Sequence, residues 1–586
     1  MNSQSPVYTI DNKCQDCYKC VRHCPVKAIR IANGAASVMA EQCVACGECV
    51  RVCSSHAKKI RSDLARLREL LSSGARLYAS VAPSFSGYFR NVSISQIAAA
   101  LKSLGFEGVS ETAHGAESVS AHVMKIFDAD ESIPLMISSA CPACCDFIRK
   151  YMPQWAKYIS PLPSPVRAHV RLLREKYGDD IKVVFFGPCA AKKNEADRAP
   201  EELALAVTFP SLEALFDENG ILPEDMETGG KSEEELLALG SAKEGRFYPV
   251  EGGMNDTLRD NSSRLRFLAV SGIDNLRRLL SAKPPEKKNG AHSIFIEALA
   301  CAGGCVNGPA MREGAGLDTL LAIDRHSPIQ TSHGRNFTHC GTSAYPPVEI
   351  MEANYPETEI SQALARVGKT CKEDELNCGA CGYDSCRSFA KALLAGKAEE
   401  SMCHTFLKQN FQRTSNALIR YIPAAVVIVD CNLAILESNR HFAEISDVVT
   451  AFDTLGSLEG MSIQSVLPEF ESLFAGAIRH NSEIEKFRQP LKSRLVNISV
   501  FPIVRGESAG AIIQDVTGNE YRLEQVAAKA REVIQKNVQT VQEVARLFGE
   551  HIAETEIMLN EIAGTYESHT PGVSLNGGDS DDYLNG

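Results

Sequence analysis

No stretch of this chain reaches the roughly 18 consecutive apolar residues that a membrane-spanning helix needs, so a membrane protein is not expected. The opening residues, MNSQSPVYTIDNKC, carry no apolar core of the signal-peptide kind, so secretion is not expected either. Basic residues are not in excess: 61 Lys and Arg against 73 Asp and Glu leave a net charge of −12. That balance disfavours general binding to nucleic acid or to an anionic membrane surface. Together these absences point to a cytoplasmic protein. A hydrophobic content of 44% and a charged content of 23% are those of an ordinary globular protein. At 586 residues the chain is too long for one domain.

Cysteine is abundant. There are 21, most of them in tight clusters. In a reducing compartment clustered cysteines read as metal ligands. A disulfide scaffold is disfavoured, because such scaffolds staple small secreted domains.

Residues 14–24 read CQDCYKCVRHC and residues 43–53 read CVACGECVRVC. Each run is Cys-x2-Cys-x2-Cys-x3-Cys, the two-cluster bacterial ferredoxin pattern. In that pattern Cys14, Cys17 and Cys20 hold one cubane with Cys53, while Cys43, Cys46 and Cys49 hold the other with Cys24. Pro25 follows the first run, and Ser54 replaces the usual proline after the second, which alters a turn and not a ligand. Four-thiolate zinc, the alternative metal, usually pairs two separated Cys-x2-Cys knuckles.

From Leu77 onward, apolar runs of strand type alternate with helix-like segments: LYASVAP, SQIAAALKSLGF, IPLMISSA, IKVVFFGP and SIFIEALAC. That alternation predicts an α/β core. Cys141, Cys189 and Cys301 follow such runs directly, which puts them at strand C-terminal ends, where α/β sheets place ligands. Cys305 lies four residues beyond Cys301 in a Gly-rich segment, and soft thiolates at this spacing suit iron–sulfur or zinc chemistry. Four cysteines from three distant segments can enclose one cluster only inside a folded core. Residues 212–246, charged and rich in Glu and Gly, read as a surface insertion.

A third group begins at Cys371. Cys378, Cys381, Cys386 and Cys403 are separated by two, four and sixteen residues, which fits another [4Fe-4S] cubane. Zinc stays open for this set, and Cys371 is an alternative ligand. Beyond residue 410 the ligand clusters stop. IPAAVVIVDCNLAILESNRHFAEI (422–445) reads as strand, turn, strand and helix, and LVNISVFPIVRGESAGAIIQDVTG (495–518) as a closing strand pair. Residues 519–564 carry an apolar stripe including Leu523, Val526, Ala530, Val533, Val541, Val544 and Leu547, the pattern of a coiled-coil or partner-docking helix. The tail at 566–586 reads as disordered.

The segments ACPACC, PCAAKKNE and EALACAGGC, in that order, resemble the active-site motifs of [FeFe]-hydrogenases over about residues 77–345. The resemblance implies an H-cluster: a [4Fe-4S] cubane bridged by one thiolate to a diiron subcluster carrying CO, cyanide and azadithiolate. It assigns Cys141, Cys189, Cys301 and Cys305 to the cubane, with Cys305 as the bridge. It makes Lys192 a donor to a cyanide ligand and places Glu195 in the same motif; Lys193, next in sequence, is equally available to carry a solvated charge. Ser139 is a further candidate to face the cluster. The chain departs from the usual pattern at three places. Ala140 stands where efficient enzymes carry a proton-donating cysteine, and Gly187 and Leu299 stand where methionines are usual. Alanine cannot relay a proton, so slow turnover is expected. Water, Glu195, Cys144 or Cys145 would have to take over the donor's part.

Residues 411–518 resemble a PAS sensor domain. With Ala140, this implies a sensory [FeFe]-hydrogenase of group C or D. The expected organisation is multidomain α/β and α+β: a two-cluster ferredoxin-like domain at 1–60, an H-cluster domain at 61–355, an additional [4Fe-4S] domain at 356–410, a PAS-like domain at 411–518, a signalling helix at 519–565 and a tail at 566–586. Four cubanes and a diiron unit predict about 18 irons per chain. The implied partners are H2 and protons, a ferredoxin or other redox protein, hydrogenase maturases, a signalling partner such as a kinase or phosphatase, and a second copy in a homodimer. Two other functions compete: a metabolic ferredoxin-linked hydrogenase, and a non-catalytic iron–sulfur electron-transfer or cluster-assembly protein.

Overall fold

The computed structural model describes residues 5–258, 265–284, 292–312, 321, 323, 340–350, 353–517 and 532–536. The chain divides into two units, Met1–His404 and Thr405–Gly586.

The first unit begins with two small antiparallel pairs. Strand β1 (Val7–Thr9) pairs with β4 (Lys58–Ile60), and β2 (Ile29–Ala32) pairs with β3 (Ala35–Val38). The buried Lys58 ammonium joins them, donating to Thr9 Oγ1 at 2.5 Å and to the Ala36 carbonyl at 2.8 Å. Two parallel sheets follow. In the first, β5 (Leu77–Val81), β6 (Gly108–Glu111), β8 (Lys182–Gly187) and β9 (Leu205–Thr208) run in the order β6-β5-β8-β9. In the second, β7 (Leu135–Ile137), β10 (Leu265–Ser271) and β11 (Ser293–Leu299) run in the order β10-β11-β7. Every side chain of β5 is buried, as a parallel sheet covered on both faces requires. The helix Ile94–Ser103 packs Ile97, Ala98 and Leu101 into the same core and starts on a capping box of Ser93 and Gln96.

The strand C-termini gather the expected ligands: Cys189 stands two residues past β8, Cys301 two past β11, and Cys141 four past β7. Residues 212–246 meet the surface-insertion expectation only in part: 217–235 are largely exposed, and the two ends are not. Leu212, Leu215, Phe216 and Leu237 belong to the core of the first parallel sheet. Buried Arg246 forms an ion pair with buried Glu111. Arg246 is thus spent on internal pairing, while Glu218, Glu224, Asp225, Glu227, Glu234 and Glu235 stay exposed.

In the second unit, β12 (Ala425–Asp430), β13 (Ile435–Ser438), β14 (Ile484–Leu491), β15 (Arg494–Val504) and β16 (Ser508–Asp515) form one antiparallel sheet in the order β13-β12-β16-β15-β14. Short helices between β13 and β14 close one face, burying Phe442, Leu467 and Phe474 against Val427, Ile498 and Ile513. The strand–turn–strand–helix pattern expected at 422–445 and the closing strand pair expected at 495–518 are both present. Apart from helical residues 532–536, the expected signalling helix and tail lie outside the described residues.

Candidate metal centre

Each of the four interior cysteines sits where a strand hands over to a helix or turn. Cys141 precedes the helix Pro142–Tyr151, with proline at its first position. Cys189 stands two residues before the helix Ala191–Arg198. Cys301 and Cys305 flank a turn at Gly303 and Gly304, both with positive φ. A Cβ on Gly304 would strike the carbonyl of Pro249, so this turn has to be glycine to close on its neighbour.

These termini bring the four thiols around one small cavity of about 20 Å³, bordered by Cys141, Cys189, Cys301, Cys305 and Cys46. A second cavity, of about 100 Å³, adjoins it. Cys141, Cys189 and Cys305 border both, whereas Cys301 borders only the first. The second cavity is walled mainly by apolar groups, among them Ala140, Phe185, Leu299 and Met254, with Lys192 and Glu297 as its charged members.

The thiols suit a cluster. Burial, with mutual repulsion among the four, pushes Cys301 and Cys305 well above the ordinary thiol range and Cys189 up to about 11. Cys141 goes the other way, to about 6, because the Cys144 thiol donates to it, overcoming burial, and backbone N–H groups at Ala143, Cys144 and Ala300 add to the effect. Four thiolates this close in a low-dielectric core need a cation between them. Among the described residues, no three His, Cys, Asp or Glu side chains close around a single metal ion. Soft thiolates brought together from three segments suit an iron–sulfur cluster.

Lys192 is buried, not a solvated surface residue. Its Nζ donates to Glu195 Oε2 at 2.6 Å and to Ser164 Oγ at 2.9 Å, and the Ser164 hydroxyl in turn donates to Glu195. Glu195 therefore reaches the cavity only through Lys192; it is not among the cavity-lining residues. Lys193 is not an alternative to Lys192. Its ammonium points away, to Asp63 at 2.8 Å and the Ala206 carbonyl at 2.9 Å. Ser139 is buried and lines neither cavity. Cys144 and Cys145 are buried behind Cys141 and do not border the second cavity.

Glu297 is the residue that sequence reading missed. It lines the second cavity, buried in β11, and its Oε1 has no hydrogen-bond partner among the described residues. Its other oxygen accepts from the Asn255 backbone N–H at 3.1 Å. Burial raises its carboxyl to about 7, against partial compensation by backbone donors at Asn255, Met254 and Gly252. A carboxylate inside the otherwise apolar run SIFIEALAC was the available signal.

The N-terminal cysteines are arranged as the ferredoxin spacing requires. Cys24 lies within electrostatic reach of Cys43, Cys46 and Cys49, and Cys53 of Cys20, together with Cys14 and Cys17. Backbone N–H groups of Ala28 and Ala45 point at Cys24 and Cys43 sulfurs, both at 3.2 Å. This region docks on the interior site. Lys150 Nζ donates to the Glu41 and Cys43 carbonyls at 2.6 and 2.9 Å, and Tyr151 donates to the Gln42 carbonyl at 2.7 Å. Gly47, at φ +79°, lies so close to Pro309 that a Cβ would overlap the proline ring. Further along, Cys381 groups with Cys378, Cys386 and Cys403. Cys371 is exposed, bonded to Asp374 and Glu373 instead, and is not brought into that set.

Comparison with known proteins agrees with this geometry. Residues 75–309 match the family "Iron only hydrogenase large subunit, C-terminal domain", residues 6–54 the "4Fe-4S dicluster domain", and residues 374–404 an Fe–S cluster family. The NADP-reducing hydrogenase subunit HndD of Solidesulfovibrio fructosivorans is 26% identical over 301 residues, covering 41% of this chain and 50% of that protein. Iron hydrogenase 1 of Clostridium pasteurianum is 25% identical over 305 residues, covering 43% and 52%. The chain thus spans about half the length of the curated relatives it matches. Among solved structures, the [FeFe]-hydrogenase HydA1 from Chlamydomonas reinhardtii aligns at 18% identity with a TM-score of 0.34, over 45% of this chain and 88% of that one. Residues 6–309 thus resemble [FeFe]-hydrogenases, with a region like the hydrogenase large-subunit domain following one like a 4Fe-4S dicluster domain.

Proposed function

We propose that this protein is a slow [FeFe]-hydrogenase that senses H2 or redox state and passes the signal to its C-terminal half. The observation that carries the reading is the pair of adjoining cavities bordered in common by Cys141, Cys189 and Cys305, one ringed by the four thiols that a cubane would need and the other walled by apolar groups around Lys192. When bound, the H-cluster supplies reversible heterolytic cleavage of H2, with its azadithiolate as the first base. Cys305 would be the bridging ligand, as the resemblance implies; like Cys141 and Cys189 it borders both cavities. Lys192 presents a buried ammonium to an anionic ligand, and Glu195 and Ser164 fix its direction. Ala82, Phe185, Val166 and Leu299 exclude water.

The proton route is the weak point of the site. Ala140 offers a methyl group to the second cavity, where a thiol would carry a proton. Glu297 Oε1, unpartnered and in the same wall, holds that proton instead. A single buried carboxyl without a hydrogen-bonded chain beyond it supports slow exchange, since a well-placed relay contributes about 10²–10⁴-fold.

The sensory half of the reading rests on the second unit. Its strand order β13-β12-β16-β15-β14, with the helices inserted between β13 and β14, supports a PAS domain. Residues 519–565 then form the output segment, acting on a kinase or phosphatase by favouring one of two conformations. A ferredoxin or similar redox protein, the maturases that install the diiron unit, and a second copy of the chain complete the partners.

Infrared spectroscopy of the matured protein tests the core of this reading. CO and cyanide stretching bands are expected. Their absence from protein holding its full complement of cubane iron would leave an iron–sulfur protein without hydrogenase chemistry. High turnover, with no effect of H2 on any partner, would favour a metabolic hydrogenase.

A further inference from the structure

We propose that the cluster held by Cys24, Cys43, Cys46 and Cys49 is a junction, and that the cysteine module at residues 374–404 is its second branch, carrying electrons from the H2 site to the start of the C-terminal half. The inference rests on the reading that each of these cysteine sets holds a cubane. It concerns the order in which they are joined.

One arm of the junction is the contact already described, in which Cys46 borders the same small cavity as Cys301. The other arm runs through Tyr383. This side chain is buried within electrostatic reach of both Cys381, in the module, and Cys24, in the junction set. Its hydroxyl is buried and has no hydrogen-bond partner among the described residues. A phenol left unpaired between two cysteine sets is costly unless a sulfur of one of the clusters accepts from it.

The module is fixed against the ferredoxin-like region on several sides. A Cβ on Gly382 would lie 2.9 Å from Val21 Cγ1 and 3.1 Å from the Arg22 nitrogen, so the loop carrying Cys381 lies directly on the helix Lys19–His23. Gly382 also sits at φ +88°, a conformation that glycine alone adopts freely. The Ile31 N–H donates to the Lys397 carbonyl at 2.9 Å, the Asn33 N–H to Glu399 Oε1 at 2.8 Å, and Lys397 Nζ to Gln42 Oε1 at 2.9 Å. Glu399 also approaches Asp16, and Ser401 approaches Tyr18, so the module lies along the Cys14–Cys20 loop as well.

The direction of the branch follows from the chain. Cys403 is buried, and the helix His404–Tyr421 starts at the next residue. Oxidation of one H2 releases two protons and two electrons. The protons leave to solvent, and the electrons reduce two cubanes by one each, so the module can be charged without any further co-reactant.

Electron paramagnetic resonance of the matured full-length protein, reduced in parallel with H2 and with dithionite, tests the junction. In the unaltered protein, neighbouring reduced cubanes give a spectrum broadened by spin–spin interaction. The double variant Cys378→Ala, Cys381→Ala is expected to lose about four irons per chain and to show a narrower spectrum from the remaining clusters. Gly382→Leu, which removes no ligand, is expected to keep all its iron and still lose part of the broadening. If the cysteine variant loses its four irons while the remaining spectrum keeps its width, the junction is overturned and the cluster stands. If it loses no iron, the cluster reading fails and the junction with it. The dithionite arm gives the same answer whether or not the H2 site is active.

Discussion

The ring of Phe185 fills the space that a side chain on Gly187 would need. A Cβ built on Gly187 would overlap the ring edge and lie 3.1 Å from the Ala82 methyl. Both residues belong to β8, two apart and therefore on one face of the strand, and Phe185 borders the second cavity. The methionine usual at position 187 is thus replaced by a ring arriving from its own strand. Gly187→Met alone is expected to overpack the wall and cost about 1–3 kcal/mol. Pairing it with Phe185→Ala should recover most of that loss. Urea unfolding of the two single variants and the double variant checks this, and additive losses would show that the two positions do not share the space.

Ala140 faces the same cavity with nothing to donate. Ala140→Cys should place a thiol there and raise H2 turnover toward the 10²–10⁴-fold that a positioned acid–base group supplies. Rates of H2 evolution from fully matured protein, normalised to diiron content by infrared, measure it. No gain at equal loading would mean that proton delivery does not limit this site.

Much of the centre was legible in the sequence because its ligands are chemically unusual and sit at strand ends. Cys141, Cys189 and Cys301 each followed an apolar run, and each run became a strand of a parallel sheet. The ferredoxin spacing likewise anticipated which thiols meet, down to Cys24 crossing to the second run. Side-chain direction was not legible. Nothing in the adjacent pair Lys192–Lys193 says that one points at the cavity and the other at Asp63, since one step along a helix turns a side chain by about 100°. Ser139 shows the same limit: it neighbours Ala140 in sequence, yet only Ala140 lines the cavity. The burial of Arg246 was not legible because its partner, Glu111, lies 135 residues away.

Lys193 gives a direct measure of that hidden pairing. Its side chain is fully buried and donates to Asp63, which also accepts from Arg61 Nε at 3.0 Å and Arg66 Nη1 at 3.2 Å. Burial would raise the Asp63 carboxyl, but Lys193 and Arg61 outweigh it and hold the group below its ordinary value. Its contribution is thus present at neutral pH and fades as pH falls through that lowered value. Asp63→Asn strands a buried ammonium and should cost about 3–5 kcal/mol at pH 7. Urea unfolding reads the difference, and a loss under 1 kcal/mol would mean that Arg61 and Lys193 repack without their anion.

Glu297 carries the opposite sign. Burial raises its carboxyl from 4.5 to about 7, so the folded state prefers the protonated form. The stability this gives is fully present below about pH 4.5 and is lost as pH rises through 7. Across that window the loss amounts to roughly 3 kcal/mol at about 1.4 kcal/mol per pH unit. Glu297→Gln keeps the shape and the backbone hydrogen bond at Asn255 but cannot ionise. Relative to the unaltered protein, the variant should therefore gain stability between about pH 4.5 and 7 in thermal melts and level off above that. Parallel curves for the two proteins would show that Glu297 does not titrate in this range. The same substitution should slow H2 turnover when Ala140 is intact and matter less in the Ala140→Cys background, because a thiol there offers the proton a second acceptor in the cavity wall.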